Sequence, residues 1–156
     1  PIELFATKIN ALIGRSAARD IYDVYNMVEH QLFLSDEEQT LLRKATVFYL
    51  TVGSSRKDSA TPTEFGAFPQ IDKIRFPQIR SQLMPVLRQS ERFDFEEAKV
   101  AVKDFLMTLL ALTDSEKEYV QGFNCGKYAP ELLFEDKVIV DRIKFHPMAL
   151  WKTRSR

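Results

Sequence analysis

The chain has 156 residues, enough for one domain that buries roughly 68–70% of its unfolded surface. A hydrophobic share of 45% and an aromatic share of 12% exclude wholesale disorder. Its 22 basic and 22 acidic residues cancel, so any affinity for nucleic acid must come from a local patch rather than from overall charge.

Helical signals dominate from the start. Glu3 to Ile13 carries Phe5, Ile9, Leu12 and Ile13 at helical spacing, with Gly14 placed to end the segment. Ser16 is positioned to cap a second helix, whose expected inward stripe is Ile21, Val24, Tyr25, Val28 and Leu32. Ser35-Asp36-Glu37-Glu38 is a capping box, followed by Leu41, Leu42, Ala45, Phe48, Tyr49 and Val52. Residues 53–69, rich in Gly, Ser, Thr and Pro, read as a surface loop. Pro77 to Gln89 reads as helix, with a bend or a break at Pro85. Asp94 caps a strong helix through Val100, Phe105, Leu106, Leu109 and Leu110. Thr113-Asp114-Ser115-Glu116 opens another with Tyr119, Val120 and Phe123, which Gly126 should stop. A Pro130–Phe134 turn, a short element over Val138–Ile143 and a last turn after His146-Pro147 complete the chain. Few glycines and few alternating β-branched runs argue against a sheet. The fold class expected is all-α, a multi-helix array in a single domain over 1–156 with a basic tail near 152–156.

Within this array, Lys8 falls on the apolar arc of the first helix, between Leu4 and Leu12 and beside Phe5. A lysine there either runs its stem to water or meets an anionic partner, and a charge so held also suits a polyphosphate. Asp20 lies at the edge of the second helix's stripe and in its first turn, where the helix dipole favours a carboxylate by roughly 0.3–1 kcal/mol. Arg19 and Asp23, at i,i+4, read as a solvated surface pair on the opposite face. Arg15 stands in the turn between the helices, free to point where Lys8 and Asp20 converge.

The stretch Glu3-Leu-Phe-Ala-Thr-Lys8-Ile-Asn-Ala-Leu12, then Arg19-Asp20-Ile-Tyr22-Asp23-Val-Tyr25, resembles the AbiEii/AbiGii nucleotidyltransferase toxins of type IV toxin–antitoxin (abortive infection) systems. Phe123 to Phe134 and His146-Pro147-Met148-Ala149-Leu150-Trp151 look like the same family's C-terminal half. The resemblance implies a polymerase-β-like enzyme that transfers a nucleotide from a nucleoside triphosphate (NTP) to a tRNA acceptor, with Mg²⁺ on an Asp-x-Asp pair behind a Gly-Ser segment. It implies Lys8 and Asp20 as catalytic residues, Lys8 at the triphosphate and Asp20 orienting the lysine or acting as an acid/base group, while Arg15, by its place in the turn, joins Lys8 as a candidate phosphate-binding residue. It also implies an antitoxin as partner and possible tRNA contact. This sequence departs from the pattern, because Gly53-Ser54-Ser55 follows the helical motifs and no Asp-x-Asp follows it. The chain therefore reads as the family's C-terminal helical domain with the N-terminal sheet absent, holding no metal and no tight cofactor by itself, so activity in isolation is not expected. The alternative is a non-enzymatic helical module that binds an antitoxin or self-assembles.

The remaining features are weaker. Cys125 is the only cysteine, so no internal disulfide forms, and it reads as a buried or inert thiol. His30 and His146 lack metal-pair spacing. Phe65, Phe68 and Phe76 read as loop aromatics folding back on the core, or as a partner-binding loop. From Arg142 to Arg156 there are five basic residues and no acidic one, either a solvated tail or an RNA-backbone contact. No apolar run approaches the ~18 residues of a membrane span and no signal-peptide pattern is present, so a cytoplasmic location is expected.

Overall fold

A computed structural model describes residues 1–33, 35–53, 60–78, 81, 85 and 93–154. All regular elements among them are helices: α1 (Ile2–Arg15), α2 (Ala18–Glu29), α3 (Asp36–Val52), the short α4 (Pro69–Asp72) and α5 (Phe76–Gln78), α6 (Phe95–Leu109) and α7 (Asp114–Asn124). A 3₁₀ turn (Pro130–Leu132) and the short α8 (Lys137–Ile143) and α9 (Pro147–Thr153) follow. The chain is all-α over these residues, and none of these helices is long and apolar enough to cross a membrane.

Two cores share α3. Ala6, Ile9 and Leu12 of α1 pack with Ile21, Val24 and Met27 of α2, Val102 and Leu106 of α6, and Leu42 of α3. On its other side α3 gives Val47, Phe48 and Val52 to Tyr119, Val120 and Phe123 of α7, with Leu133 and Ala149. A helix apolar on two faces is how one element ties two layers together. At Gly53 the end of α3 lies so close to α1 that a Cβ would stand 2.8 Å from Asn10 Nδ2.

The local signals hold where they are strongest. Ser35 with Glu38, and Thr113 with Glu116, form complete capping boxes, and Asp94 accepts from the Glu97 amide. Gly126 stops α7 in the left-handed region at φ 90°. Elsewhere the chain differs from expectation. Helix α1 passes through the exposed Gly14 and ends at Ser16, whose φ of 51° puts its amide and Oγ on the Leu12 carbonyl. Ser16 therefore closes α1 instead of capping α2. The buried face of α2 is Ala18, Asp20, Ile21, Val24 and Met27, turned from the expected stripe because α2 is packed by α1 on one side and α6 on the other. Leu32, beyond the helix end, is exposed, as is Val100 on α6. Lys99 is buried beside Val100, its Nζ donating to the Ile74 carbonyl at 3.2 Å.

Phe68 is buried and stacks on Phe65, so these two loop aromatics fold inward; nothing is described of the Phe76 side chain. Most of the expected Pro77–Gln89 helix lies outside the described residues. Cys125 is exposed, not buried, because it stands past the last turn of α7. Lys152 belongs to α9, not to a solvated tail: it is buried, and its Nζ donates to the Thr51 carbonyl at 3.1 Å.

Two phenols lie inside the second core. Tyr119 Oη shares a hydrogen bond with Thr51 Oγ1 at 2.9 Å, and Tyr128 Oη donates to the Ile143 carbonyl at 2.6 Å. Burial pushes both well above the ordinary phenol value. The fold thus favours the neutral phenols, while an unfolded chain ionises them near the ordinary value of about 10. Their stabilisation is complete below that pH and is lost as pH rises beyond it. We expect alkaline unfolding above about pH 10. Circular dichroism and tyrosinate absorbance, followed together against pH, should show these two tyrosines ionising only as the helices melt.

Candidate functional site

Helices α1 and α2 fold back on one another across Ser16 and Ala17, and the heights of their charged residues follow from the helical rise. Lys8 lies about 12 Å back from the turn, Asp23 about 9 Å beyond it and Asp20 only about 5 Å beyond it, at 1.5 Å per residue. Arg15 stands at the turn itself. Height alone thus pairs Lys8 with Asp23 and Arg15 with Asp20.

The structure makes those two pairs. Lys8 Nζ donates to Asp23 Oδ2 at 2.8 Å, with the side chains 42% and 35% exposed. Arg15 grips Asp20 with two parallel bonds, Nε to Oδ2 at 2.8 Å and Nη2 to Oδ1 at 2.7 Å. Asp20 is buried to 1% exposure, whereas Arg15 is half exposed. A planar guanidinium on a carboxylate is the strongest geometry such a pair has. The bonds and charge of Asp20, and then the charge of Asp23, hold the Arg15 guanidinium above its ordinary value.

The expected convergence of Lys8 and Asp20 is thus corrected. Both Asp20 oxygens are engaged by Arg15, and Lys8 meets Asp23. The expected Arg19–Asp23 surface pair is corrected as well. On a helical wheel Asp23 stands between Arg19 and Asp20, about 60° from Asp20, which brings it to the α1–α2 seam. Arg19 stays exposed. Asp23 is the residue that periodicity missed, and the height argument would have found it.

The two pairs differ in chemistry. An ammonium has three donors; Asp23 takes one from Lys8, and the exposure of the side chain leaves the others facing solvent at the seam. That is a cation oriented by its neighbour and available to an anion. Asp20 instead sits in the first turn of α2, where Ala17 supplies no side-chain cap, and its charge complements the orphan amides there. With Arg15 it pins the turn. Arg15→Ala would leave a buried carboxylate without its partner, and we expect a loss of roughly 1–3 kcal/mol in urea unfolding. Lys8→Ala, at an exposed pair, should change stability by under about 1 kcal/mol.

Among the described residues, no group of three His, Cys, Asp or Glu side chains stands close enough to hold a metal ion. The described residues therefore do not by themselves fit the magnesium that the resemblance implies. His146 packs edge-on against Phe48, a structural placement.

Comparison with family models gives a match over residues 1–115 to the AbiEii nucleotidyl transferase toxin of type IV toxin–antitoxin systems. That span contains Lys8, Arg15, Asp20 and Asp23; it ends before the Phe123–Phe134 and His146–Trp151 segments. No curated protein and no solved structure matches the chain. With nearly three quarters of its length matched, the chain belongs to the AbiEii family of nucleotidyl transferase toxins.

Proposed function

We propose that this chain forms the helical wall of a nucleotidyl-transfer site, in a toxin that moves a nucleotide from an NTP to a tRNA acceptor. The observation that carries this is the Lys8–Asp23 pair, half exposed on the seam of α1 and α2 within the family-matched span. In this reading Lys8 contacts the triphosphate and offsets charge on the departing pyrophosphate. Asp23 orients Lys8. Asp20 serves the fold, pinning the turn through Arg15, whose guanidinium is half exposed.

The metal-binding carboxylates come from outside the described residues, on a wall that completes the site. The chain alone is then inactive, and neither Mg²⁺ nor an NTP binds it tightly. An antitoxin is the protein partner that the family's type IV systems imply.

The test is a transfer assay with labelled NTPs and tRNA on the full-length toxin, beside this chain alone. The proposal expects labelled tRNA from the first and none from the second. Full activity after Lys8→Ala would remove Lys8 from the site. The second reading is a non-enzymatic helical module that captures an antitoxin, favoured by the lack of a metal-binding group among the described residues. A full-length protein that binds its antitoxin but neither NTP nor tRNA would establish that reading instead.

A further inference from the structure

The second core is incompletely covered where α8 lies on it. Four of the seven residues of α8 are apolar (Val138, Ile139, Val140 and Ile143), yet the helix buries none of its residues. So short a helix depends on packing for its stability, and this one is only half packed. Between α8 and α3 runs an open cleft, made of two cavities of about 370 and 360 Å³ that share Leu41, Phe134 and Ile139 as walls. On α3, Glu37, Leu41, Ala45 and Phe48 follow at steps of three or four residues. One face of that helix therefore lines the cleft for about 16 Å.

The two ends of the cleft differ in charge. At one end Glu3 and Arg142 answer each other at 4.0 Å. At the other, Asp36, Glu37, Glu135 and Asp136 line the walls against a single lining cation, Lys44. All four acids are exposed, and among the described residues none of them makes an ion pair. Helix ends explain part of this. Asp136 accepts the Val138 amide, and Asp36 and Glu37 stand in the first turn of α3, where the dipole favours them. Glu135 has no such role, and capping does not require two acidic helix ends to face each other across an apolar cleft. That charge calls for cations from outside. Nucleic acid and an anionic membrane carry the wrong sign. Among the described residues no carboxylate group is close-set enough for a metal ion. A helix with apolar anchors on one face and Lys or Arg beside them matches walls and charge together, and 16 Å seats about three of its turns.

We infer that the α3–α8 cleft is the docking groove for a basic amphipathic helix of a partner protein. Its apolar face lies on Leu41, Phe134 and Ile139, and its cations meet Glu37, Glu135 and Asp136. The inference stands on the cleft itself and does not depend on the transfer reading.

The experiment titrates the full-length toxin with a fluorescein-labelled helical peptide of leucine and lysine, its leucines on one face, and reads anisotropy. Two control peptides accompany it: a scramble of the same composition that destroys the apolar face, and a leucine–glutamate version of the same pattern. The groove predicts binding of the first and at least about tenfold weaker binding of both controls. Glu37→Gln with Glu135→Gln changes two exposed side chains outside the cap bonds, so the fold should be kept while affinity falls about tenfold and loses much of its salt dependence. Ile139→Ala should weaken the peptide too, with helicity checked by circular dichroism. Hydrogen exchange supplies a readout without variants, since the amides of α8 should exchange more slowly under the bound peptide. Lys8→Ala should bind it normally, so a failure of the transfer reading leaves this result untouched. Four results would overturn the inference: no binding at low salt, a scramble that binds as well, affinity unmoved by the double glutamine variant, or α8 closed by self-association in sedimentation and inaccessible to the peptide.

Discussion

Lys8→Ala in the full-length toxin is expected to lower nucleotidyl transfer by about 10²- to 10³-fold, the usual cost of removing one preorganised charge from a reacting centre. The same change should barely move the melting temperature, because Lys8 and Asp23 are both more than a third exposed and such pairs contribute little to stability. The combination is what separates a functional lysine from one that only shields the core edge. A snorkelling lysine would lose packing and leave transfer intact. Lys8→Arg tests the point charge further. A guanidinium keeps the positive charge but changes its reach and geometry, so partial activity is expected. Single-turnover transfer rates beside thermal melts for the three proteins decide it.

The largest effect on stability is expected elsewhere, at Arg43. Its Nε lies 2.9 Å from each oxygen of Glu116, a side chain buried to 1% exposure. Glu116 also accepts the Thr113 amide at 3.0 Å, so one carboxylate joins α3 to α7 and closes the α7 capping box. Arg43→Ala strands that charge inside the protein. We expect a loss of roughly 3–5 kcal/mol and a fall in Tm on the order of 10 °C. The double variant Arg43→Met with Glu116→Gln removes the charge while keeping an acceptor for Thr113, and should recover most of the loss. A double variant as unstable as Arg43→Ala alone would show that packing, not charge, is at stake.

How much of this was legible in the sequence depends on the range of each interaction. Capping boxes at Ser35 and Thr113 are written within four residues, and the apolar spacing of α1 and α7 within a few turns, so both survive into the structure. Gly14 misled because an exposed glycine costs a helix only about 1 kcal/mol, and the chain turned at Ser16 instead. Lys99 and Lys152 were illegible as buried residues. Their partners are carbonyls of Ile74 and Thr51, which only the tertiary fold brings near. The geometry of the candidate site was less legible. Lys8 and Asp20 were picked out by their place on apolar arcs, but wheel positions alone ignore height along a hairpin, and height decides which carboxylate each cation meets.

The division of labour between the two aspartates is therefore the central claim, and Asp20→Asn against Asp23→Asn tests it most directly. Each variant of the full-length toxin is measured for transfer rate and for unfolding free energy. Asp23→Asn should slow transfer at unchanged stability, because it releases Lys8 from its orientation. Asp20→Asn should lower stability, because it weakens the Arg15 pin, and should slow transfer no more than that loss of fold accounts for. A stable Asp20→Asn protein that no longer transfers, beside a fully active Asp23→Asn, would contradict the assignment and place Asp20 at the reacting atoms.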